Sequence, residues 1–380
     1  MTGTRRRTLV GAGAVALLLL GVGLGQAFRD TTPPALWIEG PSRLAAGETF
    51  PLRISADEPV SYTVRYMDRT IERVEQDLTL RLEARSGIGT VAIEATDGAG
   101  NVTSARHEVE GVAMARAALA VSGGDRPGAP FTATLRFEPP GAEVTSPGLT
   151  IDGRQAALHG DAEEWFALGA VPLTTDEGAF TVGAAWTDGL GRPGAGRLVV
   201  PHGPLPQEVE ELRLSAATLS VITPEGRELE AAAIAAARAN AGDPPRWTEP
   251  FELPIEGRGT SGFARPRRYA AGGPVSFHLG EDIAAPTGTP IRATNDGLVV
   301  LAGQYPIKGG LTIVDHGAGV TSRYYHQSAI HVAAGDVVRR GQTIGEVGST
   351  GLSTGPHLHW EMRVDGEPSD PLAWVGRARP

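Results

Sequence analysis

Short runs in which apolar and polar residues alternate, each closed by glycine, proline or an aspartate–glycine pair, restrict this chain to small β domains. The first such runs lie at 36–38, 50–54, 61–66, 78–82 and 90–95, and Asp97-Gly98-Ala99-Gly100-Asn101 is a turn cluster between two strands. Alternation at period two places every second side chain on one face, which marks strands with one face buried. Five short strands in this span predict a small sandwich over 31–111. The 51 glycines and 29 prolines among 380 residues suit turn-rich β structure rather than a helical bundle. A length of 380 residues also exceeds one ordinary core, so several domains are expected.

The run Ala95–Asn101 resembles the late-strand signature of bacterial immunoglobulin-like modules, and a second immunoglobulin-like sandwich module is expected over 112–201, with strands in Phe131–Phe137 and Gly178–Trp186. No acid, base and nucleophile cluster in either module, so both read as spacers or binding modules. Residues 202–250 differ. The alanine-rich segment Glu228–Asn240 predicts one helix, stopped by Gly242-Asp243-Pro244-Pro245, inside a connector. From 251 to 380 strands return at 297–301, 311–314, 322–325, 337–338, 343–347 and 358–364, punctuated by glycines. These predict a compact antiparallel sheet bent around a groove.

The N-terminus sets the compartment. Arg5, Arg6 and Arg7 precede an uncharged run from Thr8 to Phe28, long enough to cross a hydrocarbon core as a helix. The basic flank predicts a cytoplasmic N-terminus with the rest exported. Gly25-Gln26-Ala27 would serve as a cleavage site if the segment (1–30) were a removed signal peptide. A retained single-helix anchor in the inner, cytoplasmic membrane is the expectation; a secreted or periplasmic protein is the alternative. Both place residues 31–380 in the cell envelope, outside the cytoplasm. A net charge of -10 argues against nucleic acid as a partner. With no cysteine, any metal must rest on nitrogen and oxygen ligands.

Four of the nine histidines fall in three motifs of the last third: His278-Leu279-Gly280-Glu281-Asp282, Tyr324-Tyr325-His326 and His357-Leu358-His359. On an extended strand His357 and His359 share a face, so both rings enter one groove. A catalytic zinc takes three protein ligands and leaves a position open. His278, Asp282 and His359 fit that count, which leaves His326 and His357 for proton transfer and oxyanion stabilisation. Spacing alone does not settle which histidines bind metal. His316, in Val314-Asp315-His316-Gly317, reads as structural, and Arg267 and Arg268 suit either substrate carboxylates or solvent.

The segment from about Gly259 to Trp374 resembles the M23 family of zinc metallopeptidases, the lysostaphin-like enzymes that cut peptidoglycan peptides. The resemblance lies in the motifs above together with Ile283-Ala284-Ala285-Pro286, Gly335-Asp336, Gly341-Gln342 and the run Gly348–Glu361. Ala264 stands where the family commonly has glycine, and Gln327 where it commonly has leucine. Carried over motif by motif, the resemblance implies Zn2+ held by His278, Asp282 and His359, with His326 and His357 catalytic. It implies a mainly β, extracytoplasmic metalloprotease, a hydrolase of peptidoglycan cross-links or stem peptides, by attack of a zinc-activated water on the amide. The D,D bond is the expected substrate. The alternative reading is a non-enzymatic wall-binding protein or an activator of other wall hydrolases. Wall-synthesis or division proteins are candidate partners of the β modules, and the membrane is a partner through the N-terminal segment.

Overall fold

The computed structural model describes residues 6–10, 30–173, 178–212, 215, 219–237, 243–268 and 274–378. The chain divides into two compact units. One comprises Met1–Arg116, Phe137–Ser146 and Trp186–Gly194, and the other Ala117–Arg136, Pro147–Ala185 and Ala195–Pro380.

In the first unit the alternating runs become one hydrogen-bonded seven-stranded sheet. The runs at 50–54 and 61–66 are a single long strand, Thr49–Tyr66, paired along its length with Arg69–Glu83. A register shift between Ser55 and Val60, around Asp57-Glu58-Pro59, divides it. Its first half pairs with Leu36–Gly40 and its second with Gly87–Thr96, so one ribbon links the two halves of the sheet. Leu52, Ile54, Tyr62 and Val64 from the two halves enter the same core as Leu36, Ile38, Val91 and Ile93.

Arg6–Val10 pairs antiparallel with Leu36–Gly40 as an edge strand. The expected anchor and its cleavage site otherwise fall in 11–29, outside the described residues. Among the described residues no helix is long and apolar enough to cross a membrane.

Two four-stranded sheets follow. One has the order Arg154–Ala156, Val144–Ile151, Ala179–Asp188, Pro193–Pro201, and the other His159–Gly160, Trp165–Ala170, Pro130–Glu138, Arg116–Gly123. Phe131 and Phe180 stack at 4.4 Å between ring centroids. Trp186 packs on Phe137, and His159 is buried beside Phe166. Leu168 and Ala170 enter the C-terminal core alongside Trp247, Phe251, Trp360 and Trp374. Gly128 is held by the same packing: a Cβ there would lie 1.9 Å from the Phe263 ring, and its φ of +78° already disfavours a side chain.

The connector helix runs Pro224–Ala236, starting four residues earlier than its alanine content suggests. Thr223 caps it by accepting the Gly226 amide, with Pro224 in the first turn, a start signal more local than composition. The rest of the expected helix, 238–240, lies outside the described residues.

The C-terminal sheet has the order Arg258–Ser261, Glu281–Ala284, His357–Val364, Val320–Gln327, Gly309–Asp315, Gly297–Tyr305, Val337–Val338. Along His357–Val364 one face, Leu358, Trp360, Met362 and Val364, is buried in the core, and each such side chain contributes about 1.5–3 kcal/mol. The other face carries His357, His359 and Glu361. His316 is fully buried, its Nδ1–H donating to the Asp296 carbonyl and its Nε2 bonded to the Ser322 hydroxyl, which lies 2.8 Å from the Tyr324 hydroxyl. The structural reading of His316 therefore fits its surroundings.

Two predictions follow from this packing. Gly128→Ala should cost about 2–4 kcal/mol, from the left-handed backbone and the displaced Phe263 ring, read as a lower urea midpoint; an unchanged midpoint refutes the contact. Burial holds His316 down to about 4. The unfolded chain takes up this proton near pH 6.5 while the folded chain refuses it, so the stabilisation is present above that value and is lost as pH falls toward 4. Between pH 7.5 and 5 the parent should lose about 2 kcal/mol more than His316→Gln; parallel losses in the two proteins would exclude His316 as the source.

Candidate active site

Strand register assembles the site. Asp282 stands directly opposite His359 on one side, and Tyr325 stands opposite His359 on the other, so the three share a face. His278 lies just before the Glu281–Ala284 strand, where its backbone N–H donates to the Arg265 carbonyl and its carbonyl accepts the Ala264 amide. Ala264 takes a φ of +59°, a conformation in which glycine is the easier residue. Gly280 is required by close approach, since a Cβ there would lie 2.4 Å from the Trp360 carbonyl oxygen and 2.9 Å from the His359 ring.

Three acceptor atoms meet at one point. His278 Nε2 and His359 Nδ1 are 2.9 Å apart, and Asp282 Oδ1 is 3.1 Å from the first and 2.8 Å from the second. The outer ring nitrogens fix the tautomers. His278 Nδ1 donates to the Gly262 carbonyl at 2.9 Å, and His359 Nε2 donates to Glu361 at 3.2 Å. In its neutral form each imidazole therefore turns a lone pair toward the carboxylate oxygen. Three lone pairs facing one another repel unless a cation stands among them. Their separations are close to the roughly 3.3 Å edge of a tetrahedral zinc with bonds near 2.0–2.1 Å. The donor set thus fits the zinc implied by the sequence.

The charges around the triad act in the same sense. Although burial opposes it, the close contacts with the His278 and His359 rings hold the Asp282 carboxyl far below the usual carboxylate range. Arg267 donates to the other Asp282 oxygen at 2.9 Å. Burial would lower His359, yet the carboxylates of Asp282 and Glu361 push it up to about 9. The same two carboxylates would attract a metal ion. Burial raises Glu361, but the Arg363 guanidinium and the hydrogen bond to His359 keep it well below its ordinary value.

The other two predicted histidines line the same groove. His326 Nδ1 donates to the Thr350 carbonyl at 2.7 Å, and His357 Nδ1 to the Gly355 carbonyl at 2.8 Å, which leaves both Nε2 atoms facing the groove. The two ring centroids are 4.8 Å apart. Burial, then the neighbouring His357 and His359 rings, lower His326 to about 3, so the ring is neutral at pH 7. His326 faces the site because the strand bulges. Gly310 pairs with Gln327 and Thr312 with Tyr324, which leaves one extra residue on the histidine strand, and His326 adopts a φ of +61°.

All five predicted residues come together. Arg268 pairs instead with Glu211, and Arg267 with Glu210 and Asp282. Sequence reasoning passed over Glu361, whose place two residues after His359 marks it for the same face. It also passed over Tyr325, stacked on His359 at 4.9 Å and 19°.

Residues 276–371 match the family model described as peptidase family M23. Over 97 residues the chain is 48% identical to the DD-carboxypeptidase/endopeptidase Mpg of Neisseria meningitidis, covering 26% of this chain and 22% of that protein. It is 40% identical over 113 residues to the peptidoglycan DD-endopeptidase ShyB of Vibrio cholerae, covering 30% and 26%. The chain thus spans about a quarter of the length of these curated relatives. A crystal structure assigned to peptidase M23 from Pseudomonas aeruginosa is 27% identical, covering 67% of this chain and 96% of that one, with a TM-score of 0.47. The C-terminal region of this protein carries a peptidase family M23 domain.

Proposed function

We propose that this protein is an extracytoplasmic zinc endopeptidase that hydrolyses peptide cross-links or stem peptides of peptidoglycan, with the D,D bond as its substrate. One observation carries the reading: two imidazole lone pairs and a carboxylate oxygen, each oriented by an outer hydrogen bond, converge on a single point in an open groove. The names of the relatives supply the substrate class. In this reading His278, Asp282 and His359 are the metal ligands and His326 and His357 the catalytic residues. The domain limits at 31–111, 112–201, 202–250 and 251–380 and an anchor within 1–30 belong to the same proposal.

Zinc held by the triad supplies a Lewis acid that polarises the scissile carbonyl and acidifies water. Everything else falls to the chain. The ligands stay fixed because Gly262, Glu361 and Arg267 occupy their outer atoms. His326 and His357 commit Nδ1–H to carbonyl oxygens, so Nε2 can take a proton from the attacking water. The same nitrogens, once protonated, hydrogen-bond the developing oxyanion and return a proton to the departing amine.

Three outcomes are expected. Release of new amine termini from purified peptidoglycan should require zinc, stop with chelator, and yield product masses that identify the bond. A folded, zinc-loaded chain that cleaves no wall type would instead support the non-enzymatic activator reading. His278→Ala, Asp282→Ala and His359→Ala should each lose bound zinc by elemental analysis, whereas His326→Ala and His357→Ala should keep it and lower kcat by roughly 10²–10⁴-fold. Retention of zinc by the first three variants would reassign the ligands. Glu361→Gln should weaken zinc about 10–100-fold in chelator competition, through lost orientation of His359; parental affinity would remove Glu361 from the site.

A further inference from the structure

The helix Pro224–Ala236 docks in an unusual way. Only Gly226 and Glu230 are buried among its residues, so the one long side chain it buries is a carboxylate. Glu230 is 2% exposed. Its Oε1 accepts the backbone N–H of Ile307 at 2.5 Å and of Lys308 at 2.8 Å, and its Oε2 accepts the Lys308 ammonium at 3.3 Å. Two adjacent amides and an ammonium converging on one carboxylate are an anion-binding arrangement. An amphipathic helix normally docks by an apolar stripe, and Ile234 is the partly buried apolar contact here.

The donors belong to the wall of the groove. The Lys308 carbonyl accepts the His326 backbone N–H at 2.9 Å. The Lys308 ammonium lies 5.4 Å from the centre of the Tyr325 ring, which stacks on His359. A cavity of about 820 Å³ beside the helix shares Leu279, Ile307, Lys308, Tyr325, Leu352 and Glu361 with the histidine groove. Arg227 and Arg323 also line it. An extended peptide with its scissile carbonyl at the triad and its free end toward this wall would bring a carboxylate to these donors.

We propose that Ile307 and Lys308 form a binding site for the α-carboxylate of a peptide substrate, and that Glu230 fills it as an internal surrogate. The substrate carboxylate displaces Glu230, and with it the helix, before it is bound. This assignment rests on the peptidase reading and adds the substrate group that the groove recognises.

Calorimetry with N-acetyl-D-alanine and its amide tests binding on the full chain without requiring turnover. Glu230→Ala should bind the acid at least tenfold more tightly than the amide, the parent should show no preference, and Glu230→Ala/Lys308→Met should lose the preference. Glu230→Ser, whose side chain is too short to reach the two amides, serves if the alanine variant does not fold. In turnover, Glu230→Ala should lower KM about tenfold for a cross-linked peptide with a free α-carboxylate and leave its amidated counterpart unchanged. Equal binding of acid and amide by Glu230→Ala overturns the proposal. So does a preference that survives loss of Lys308, which would place the carboxylate elsewhere in the groove. Absence of turnover in every protein, with the binding preference intact, would refute the peptidase reading and leave the carboxylate site standing.

Discussion

Three hydrogen-bond acceptors held within about 3 Å of one another form the constraint around which the C-terminal domain is organised. Like poles do not gather without cause, because each lone pair left facing another costs solvation that a partner would restore. The chain spends several other features to keep them there. The Gly262 carbonyl and Glu361 take the outer protons of the two rings, Arg267 takes the outer oxygen of Asp282, and Arg363 in turn neutralises Glu361. Removing any of these would let a ring or carboxyl rotate to satisfy itself locally. The site is therefore rigid through charge as much as through packing.

Backbone geometry supplies the rest. Pairing Asp282 with His359 across the sheet is enough to align two of the three converging atoms. The third histidine strand needs a departure from regular pairing, since strict alternation would turn His326 away from Tyr325. The bulge solves this, and Thr350 secures it. Its hydroxyl accepts the Gly310 amide and donates to the Gln327 carbonyl, while its own carbonyl holds His326. Gly309 and Gly310 are there because a side chain at either would collide with Thr350 or Gln327. Gln327 also explains itself in this setting: fully buried, it donates to Thr312 and to the Tyr324 carbonyl beside the bulge, a contact leucine could not make.

The two four-stranded sheets contribute more than spacing. Leu168 and Ala170 enter the same core as the tryptophans beneath the catalytic sheet. Gly128 accommodates Phe263, whose neighbour Gly262 orients His278. Asp370 joins the two parts, accepting from Arg126 while its amide donates to the Gly128 carbonyl. A module that looks separable by composition is thereby tied to the backbone whose Gly262 carbonyl holds His278.

Local patterns made much of this legible. Period-two alternation located the strands because burial of one face writes itself into adjacent residues, and the His-x-His spacing put two rings on one face for the same reason. The five site residues could be named from motifs that are short in sequence. Other features depend on partners that no local pattern records. The single strand Thr49–Tyr66 reads as two because its register shift is imposed by its neighbours. The tautomers of His278 and His359, the turn of His326 into the groove, the shared core of Leu168 with Trp360, and the burial of Glu230 against Ile307 and Lys308 all arise between segments distant along the chain. Sequence by itself determined which side chains could do chemistry and on which strand face they would lie. Only the tertiary structure decided which atom of each is free to do it, because that depends on what occupies the others.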